Sequence, residues 1–259
     1  GNVLRDLIAS GVVPVTQLDV IFRQAADSTI VTNAHRINRG ESPLFPKDKQ
    51  DFYFFSQEDP EDAADLIVDI VARRIPQKFS LPSKNIQVLS PMHRGAVGAR
   101  VLNQKLQEKL NPLRYDRPEY RSGSRVFRIG DRVLQLRNNY DKDVFNGDVG
   151  HIKHIDLEEG EIWVEFEGRS VSYELSDLDE LTLAYAMSVH KSQGSEYPMV
   201  VLPMLTQHYV MLQRNLLYTA ITRAKKMVVI VGTRKAIAMA VKNDKIAARW
   251  SALKERLRN

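Results

Sequence analysis

The chain contains no cysteine and no apolar run long enough to cross a membrane. Without cysteine, disulfide bonds and thiolate metal sites are excluded, and a reducing compartment fits. A membrane span needs about 20 consecutive apolar residues, and the first residues also lack the apolar core of a signal peptide. We therefore predict a cytoplasmic protein that has no membrane contact and no metal site of its own.

Neither sign of charge is scarce, and the excess of positive charge is small. The 259 residues include 37 Lys and Arg against 32 Asp and Glu, for a formal net charge of +5 and a pI near 9.3. This balance suits a polyanionic partner, but many proteins that bind no polyanion share it. The length allows one large domain, or one medium domain with a small one.

Helix and strand patterns alternate along the first part of the chain. Ser28 is a plausible N-cap for a helix that Gly40 ends, and a short strand follows at Phe52 to Phe55. The next segments have the spacing of an amphipathic helix, a buried strand and a second amphipathic helix, at Glu61 to Ile75, Asn85 to Leu89 and Val97 to Leu110. This order predicts an α/β domain with a parallel sheet.

The alternation stops after about residue 121. Ile162, Val164 and Phe166 alternate with acidic residues, as in a strand with one buried face. Short strands separated by turn signals predict a small β-barrel or sandwich inserted into the α/β domain. We expect the α/β domain to comprise residues 1–120 and 181–259, and the insertion residues 121–180.

The α/β pattern then resumes. We expect, in order, a helical segment, a strand, a helix, a strongly apolar strand and a last helical stretch, at Leu181 to Gln193, Met199 to Leu202, Leu212 to Ala224, Met227 to Val231 and Ala236 to Arg258.

The densest polar cluster runs from Ser188 to Glu196. Gly194 can end a helix in a left-handed conformation, while His190, Lys191 and Ser192 project donors around one turn. Such a junction suits a phosphate backbone. A solvated helix end would have the same composition.

Two further segments carry arginines at informative positions. In Leu216 to Ala224, Arg223 falls at the edge of the buried helical stripe, where it can reach across a domain boundary or simply lie on the surface. In Val88 to Gly98, a strand leads through a turn to a helix start with His93 and Arg94 at its mouth. The alternative is a helix start with an incidental basic pair.

The insertion has basic and amide residues beside an aromatic, including Asn138, Asn139 and Tyr140. Such residues can hold a single strand through phosphate contact and base stacking, and they also occur on ordinary polar sheet faces.

These segments, in this order, resemble the RecD-like superfamily 1B DNA helicases (the exodeoxyribonuclease V alpha-chain family). The segments that resemble helicase motifs IV, IVa, V and VI are Leu18 to Gln24, Val88 to Gly98, Ser188 to Glu196 and Leu216 to Ala224. The resemblance implies the second RecA-like lobe of a helicase, with an inserted barrel of the Src-homology-3 (SH3) type along the DNA channel.

The resemblance also implies roles for single residues. Arg23 and Arg223 would approach the γ-phosphate of ATP, and Gln193, Gly194 and Glu196 would lie on the nucleotide side. The residues expected on single-stranded DNA are His190, Lys191, Ser192, His93, Arg94, Asn138 and Asn139.

No Gly-x-x-x-x-Gly-Lys-Ser/Thr motif occurs in these residues, nor an acidic pair of the Walker B kind. We therefore expect ATP and Mg²⁺ to be bound mainly by a missing amino-terminal RecA-like lobe of the same polypeptide, and this chain to be inactive alone. Movement would be 5′ to 3′. The alternatives are a non-enzymatic module for single-stranded nucleic acid and a regulatory subunit of a nuclease complex.

Overall fold

The computed structural model describes residues 2–16, 28–48, 51–244 and 252–258. The segment Leu18 to Gln24, with Arg23, lies outside the described residues. The helices are α1 (Asn2–Ser10), α2 (Thr29–Asn38), α3 (Pro60–Asp69), α4 (Ile75–Phe79), α5 (Ala99–Leu110), α6 (Arg214–Ile221), α7 (Arg234–Lys242) and α8 (Leu253–Arg258). The strands are β1 (Phe52–Ser56), β2 (Ile86–Ser90), β3 (Glu119–Ser122), β4 (Arg125–Arg128), β5 (Arg132–Gln135), β6 (Val149–Asp156), β7 (Glu161–Phe166), β8 (Arg169–Glu174), β9 (Leu181–Leu183), β10 (Ala186–Ser188), β11 (Tyr197–Met204) and β12 (Ala224–Gly232).

A five-stranded parallel sheet in the order β1-β12-β11-β2-β10 forms the centre of the α/β part. Its strands are almost continuously apolar because helices cover both faces. On β12, Val228 and Ile230 pack toward α2, α6 and α7, whereas Val229 and Val231 pack toward α3 and α5. The predicted parallel α/β sheet is confirmed.

The inserted strands form an antiparallel sheet in the order β8-β7-β6-β5-β9, next to a β3-β4 hairpin. Ile162, Val164 and Phe166 are buried in its core, as their alternation with acidic residues predicts. Strand β9 pairs with β5 and so extends this sheet past the boundary predicted at residue 180.

The predicted helical segment from Leu181 to Gln193 is wrong. It contains β9, then β10 at the edge of the parallel sheet, then a short 3₁₀ turn at Val189–Ser192. Its apolar residues belong to two different sheets: Leu183 pairs with Val133 in the inserted sheet, and Met187 pairs with Leu89 in the parallel sheet. Tertiary strand pairing overrides a local helical spacing of this kind.

The predicted last helix is interrupted. Helix α7 ends at Lys242, and Asn243 leaves the helical conformation with φ −89° and ψ 94°. The Asn243 side-chain amide donates to the carbonyl oxygen of Leu212 at 2.9 Å, and its own carbonyl accepts from the Arg214 amide at 2.8 Å. These bonds tie the end of α7 to the start of α6. No helix among the described residues is long and apolar enough to span a membrane.

Candidate functional site

The segment from Val189 to Glu196 runs along the parallel sheet from the carboxyl ends of its strands, called here the carboxyl edge, to their amino ends, called the amino edge. It begins after Ser188, which pairs with Ser90 where β10 and β2 both end. It finishes before Tyr197, which pairs with Ala224 where β11 and β12 both begin. In a parallel sheet these ends lie at opposite edges. His190 and Lys191 therefore lie toward the carboxyl edge, and the residues after Gly194 lie at the amino edge.

A groove of about 510 Å³ opens at the carboxyl edge, between the start of α5, the end of β10 and the inserted sheet. It brings together three of the predicted DNA-binding residues, His93, Arg94 and Lys191. Its apolar wall includes Leu134, Leu136, Leu183 and Met187. Cations beside an apolar wall can hold phosphates and the faces of bases at the same time.

Lys191 supplies positive charge to this groove. Burial lowers its pKa, and among the described residues no carboxylate forms an ion pair with it. A half-buried ammonium group without a counter-ion favours an anionic ligand, which would compensate for the water that it has lost.

The loop before α5 holds His93 and Arg94 at the mouth of the groove. Ser90 Oγ is buried and lies 2.9 Å from the carbonyl oxygen of Met92 and 2.8 Å from that of Val97. Gly98 closes the loop, because a Cβ atom there would lie only 2.4 Å from the carbonyl oxygen of Arg94. The predicted order of strand, turn and helix start is confirmed, and both basic side chains are exposed.

Ser192 does not project into solvent as expected from its position in the cluster. Its side chain is fully buried, and its hydroxyl donates to the carbonyl oxygen of Val189 at 2.7 Å. The tight 3₁₀ turn places it inward, while His190 on the same turn is exposed. The Ser192 hydroxyl therefore holds the turn closed.

Asn138 and Asn139 lie in a loop of the inserted sheet and do not line the groove. Asn139 Nδ2 donates to the Glu180 carboxylate at 3.2 Å, and Asn139 Oδ1 accepts from the Lys142 amide at 3.1 Å. Asn138 is exposed, and its Oδ1 accepts from the Asn146 amide at 2.9 Å.

The basic residues near this loop are neutralised by acidic residues distant in sequence. Arg137 forms an ion pair with Glu180 at 3.1 Å, and Lys142 forms one with Asp177 at 3.2 Å.

The sequence analysis missed two basic residues, Arg100 and Arg125, which line the groove. Their only sequence signal is their charge, since neither belongs to a recognisable motif.

The amino edge of the sheet carries the second group of predicted residues. Arg223 is half-buried in the turn between α6 and β12, so the predicted helix from Leu212 to Ala224 is wrong at this end and Arg223 lies two residues past the helix. Its guanidinium donates to the carbonyl oxygens of Ser195 at 3.1 Å and Thr219 at 3.3 Å. Within the described part of the chain no carboxylate pairs with Arg223, so its charge is available to an external anion.

The neighbours of Arg223 complete this edge. Gly194 is exposed with φ +85°, the left-handed conformation predicted for it, and Gln193 is also exposed. Glu196 forms an ion pair with Lys225 at 2.8 Å. In the described ranges no group of three or more His, Cys, Asp or Glu residues could bind a metal ion.

Two protein-family models match the chain. One describes the ATP-dependent RecD-like DNA helicase SH3 domain and matches residues 102–166. The other describes the UvrD-like helicase C-terminal domain and matches residues 183–231. The inserted antiparallel sheet is thus an SH3-like domain.

Curated relatives match over more of the chain. It is 33% identical over 245 residues to the ATP-dependent RecD2 DNA helicase of Deinococcus radiodurans, covering 95% of this chain and 32% of that protein. It is 32% identical over 157 residues to the RecBCD enzyme subunit RecD of Buchnera aphidicola, covering 59% of this chain and 25% of that protein. The chain therefore spans about a third or less of the length of these relatives.

Solved structures of Pif1 helicases share the fold. The Bacteroides Pif1 structure bound to single-stranded DNA matches with a TM-score of 0.52 at 20% identity, over 83% of this chain and 51% of that one. The Candida albicans Pif1 structure matches with a TM-score of 0.50 at 18% identity, over 85% of this chain and 57% of that one. The parallel sheet and its helices form a RecA-like lobe.

Proposed function

The chain belongs to the RecD-like family of DNA helicases, and from this premise we propose that it is the second motor lobe of an ATP-dependent helicase that moves 5′ to 3′ on DNA. We assign the lobe to residues 1–120 and 181–259 and the SH3-like insertion to residues 121–180. The observation that carries the proposal is the course of residues 189–196, which join the basic groove to the Arg223 edge.

The groove is the proposed path of single-stranded DNA. Arg94 and Lys191 would contact phosphates, and His93 and His190 would add donors beside them. The half-buried Leu136 on the apolar wall suits the face of an unstacked base. Asn138 would extend the path onto the exposed barrel loop, which Asn139 holds in place through Glu180.

The amino edge is the proposed nucleotide side. Arg223, together with Arg23, would act on the γ-phosphate of ATP, because a guanidinium stays charged and offers paired donors to phosphate oxygens. Gln193 and the backbone at the left-handed Gly194 would lie beside the nucleotide, and the Glu196 carboxylate can accept hydrogen bonds from ribose hydroxyls. ATP and Mg²⁺ would be held mainly by a second RecA-like lobe that carries the P-loop.

Coupling between the two sides follows from their connection. The Arg223 guanidinium donates to the carbonyl oxygen of Ser195 at 3.1 Å. A shift of Arg223 toward ATP on the P-loop lobe would therefore pull on Ser195, and residues 189–194 would transmit the shift to the groove. Closure on ATP binding and opening after hydrolysis would then alternate the grip on DNA between lobes.

The test is ATP hydrolysis by this chain alone and by the intact helicase, each with and without single-stranded DNA. We expect almost no hydrolysis by the chain and DNA-stimulated hydrolysis by the intact protein. The intact protein should unwind duplexes with a 5′ single-stranded tail in preference to those with a 3′ tail. DNA-stimulated hydrolysis by the chain alone would contradict the proposed division of the site, and its absence from the intact protein would contradict the helicase function.

A second candidate is a regulatory subunit of a nuclease complex, because several relatives are named RecBCD enzyme subunit RecD. Such a subunit would be recovered with its partners on purification and would not unwind DNA alone. The match to the relative named ATP-dependent RecD2 DNA helicase covers more of this chain, which favours the autonomous motor.

A further inference from the structure

Arg132 is a half-buried cation that forms no ion pair with a carboxylate among the described residues. It begins β5, and on that strand Arg132 and Leu134 share the face that packs toward the α/β lobe, where Leu134 joins the core. Arg132 Nε is buried without a hydrogen-bond partner, and in the described ranges no carboxylate forms an ion pair with the guanidinium. The guanidinium carbon lies 5.8 Å from the centroid of the Tyr197 ring, a contact that compensates only in part for lost hydration.

The Arg132 side chain lines a cleft of about 400 Å³ between the insertion and the amino edge of the parallel sheet. The polar wall of this cleft consists of Arg132, Lys84, His151, Ser83, Asn111 and Tyr185, and no carboxylate is among its described lining residues. Arg223, Glu196 and the residues of the DNA groove lie outside its lining. Arg132 and Lys84 also line an adjoining cleft together with Gly194 and Glu196, so the cleft lies next to the proposed nucleotide side.

The neutral polar groups of the cleft already have partners within the protein. The Tyr185 hydroxyl and the Asn111 amide donate to Asp131 at 2.9 Å and 2.7 Å. The Ser83 hydroxyl donates to the carbonyl oxygen of Val71 at 2.9 Å. Arg132, Lys84 and His151 remain to contact a ligand, and the two permanent cations among them favour an anion.

The electrostatic environment of His151 agrees with this composition. His151 pairs with Arg132 across the β5-β6 ladder. Burial lowers its pKa, and the charges of Arg132, Lys153 and Lys84 lower it further, while Glu165 acts in the opposite direction. Three cations against one carboxylate give a positive local potential.

We propose that this cleft binds a small phosphate-bearing ligand, with Arg132 and Lys84 contacting the phosphate oxygens and the His151 imidazole donating a hydrogen bond. Guanidinium and ammonium groups are the side chains that best recognise phosphate. The cleft volume of about 400 Å³ lies within the range of roughly 300–1,000 Å³ that holds small molecules. A ligand of mononucleotide size would fill it, with its organic part against Val71, Ile86 and Leu110.

The test is an NMR titration of the histidine side chains of the chain, with inorganic phosphate as the probe and sodium chloride keeping the ionic strength constant. A bound phosphate anion should raise the pKa of His151 by about 1, since an opposite charge within a few ångström favours the protonated form. His154, on the same strand but outside the cleft, should not respond. A phosphate response that is absent from His151, or equal at His154, overturns the proposal.

Two variants assign the effect to the cleft. Arg132→Met should abolish the response of His151 to phosphate, and Lys84→Gln, on an exposed turn, should do the same without disturbing the core. Lys153→Gln removes a charge near His151 that is paired with Glu165 outside the cleft, so it should keep the response. A response that survives in both cleft variants overturns the proposal. A short oligothymidylate should leave His151 unchanged, and a response to it alone would make the cleft a nucleic-acid contact instead.

Discussion

The Arg223 guanidinium donates a hydrogen bond from Nη1 to the backbone carbonyl oxygen of Ser195, at 3.1 Å. The carbonyl oxygen of Arg223 in turn accepts from the Tyr197 amide at 2.9 Å. These bonds fix the end of α6 to the segment that follows Gly194. Arg223 and Ser195 are thus held together although they lie 28 residues apart in the sequence.

Replacing Arg223 with alanine in the intact helicase should lower ATP turnover by about 10³ to 10⁵, the range known for arginine fingers. Affinity for single-stranded DNA should change little, because Arg223 lies at the edge opposite the groove. Steady-state ATPase and fluorescence anisotropy measure the two quantities. Lys226→Ala, an exposed neighbour, is the control and should retain turnover. Normal turnover in the Arg223 variant would remove this residue from the proposed role.

Replacing Arg94 or Lys191 with alanine should weaken the binding of single-stranded DNA. Each phosphate contact that is lost should also reduce the slope of log affinity against log salt by about 0.7. Anisotropy titrations at several salt concentrations give both values. Lys109→Ala alters an exposed lysine on α5 outside the groove and should leave the slope unchanged. Equal losses in all three variants would indicate a general effect of charge and no defined DNA path.

Replacing Ser192 with alanine should lower the free energy of unfolding by about 1 kcal/mol, because the buried hydroxyl loses its bond to Val189. DNA affinity should stay at the wild-type value if the hydroxyl only supports the turn. Urea denaturation and anisotropy separate the two effects. A loss of affinity at unchanged stability would show that the hydroxyl contacts DNA after all.

Replacing Asp131 with asparagine should destabilise the junction between the insertion and α5. The Asp131 carboxylate accepts hydrogen bonds from the Arg128 amide, Gln107, Asn111 and Tyr185 at 2.5 to 2.9 Å. An asparagine would replace one accepting oxygen with an NH₂ donor that faces two of these donors, at a cost of about 1–3 kcal/mol for an unsatisfied buried group. Thermal and urea unfolding measure the change. Asp141→Asn, on an exposed turn, is the control, and equal stability of the two variants would refute this account.

Acid should destabilise the protein partly through His208. This residue is 1% exposed, and burial lowers its pKa to about 4 from an ordinary value of 6.5. As the pH falls, His208 is protonated in the unfolded chain at a higher pH than in the folded chain. The free energy of unfolding that neutral His208 allows above pH 6.5 is therefore lost progressively as the pH falls toward 4. The loss should reach about 3 kcal/mol.

A His208→Gln variant cannot titrate at this position, and its free energy of unfolding should fall less steeply over the same pH range. His154→Gln changes an exposed histidine and should follow the wild-type curve. Urea unfolding at a series of pH values tests this, and parallel curves for wild type and His208→Gln would disprove it.

The sequence alone determined the class of fold and the identity of the family. Continuous apolar strands between amphipathic helices predict a parallel sheet covered on both faces, and the alternation at Ile162, Val164 and Phe166 predicts the insertion. The buried stripe of α6, with Leu216, Leu217, Ala220 and Ile221, could be predicted because 100° per residue is a local rule, although Arg223 itself lies in the turn after the helix. Periodicity of this kind depends only on residues that are close along the chain, and for these elements such residues are enough to predict helix or strand.

Only the tertiary structure decided where the polar side chains point. Leu181 to Gln193 has helical spacing but forms strands, because β5 and β2 supply pairing partners that no local pattern contains. Ser192 turns inward, and Lys142 is neutralised by Asp177, which lies 35 residues along the chain. Arg132 has no anionic partner in the described structure. The physical reason is the same in each case: residues distant in sequence decide which side chains are buried and which charges are paired, and the charge of a residue alone does not reveal its partners.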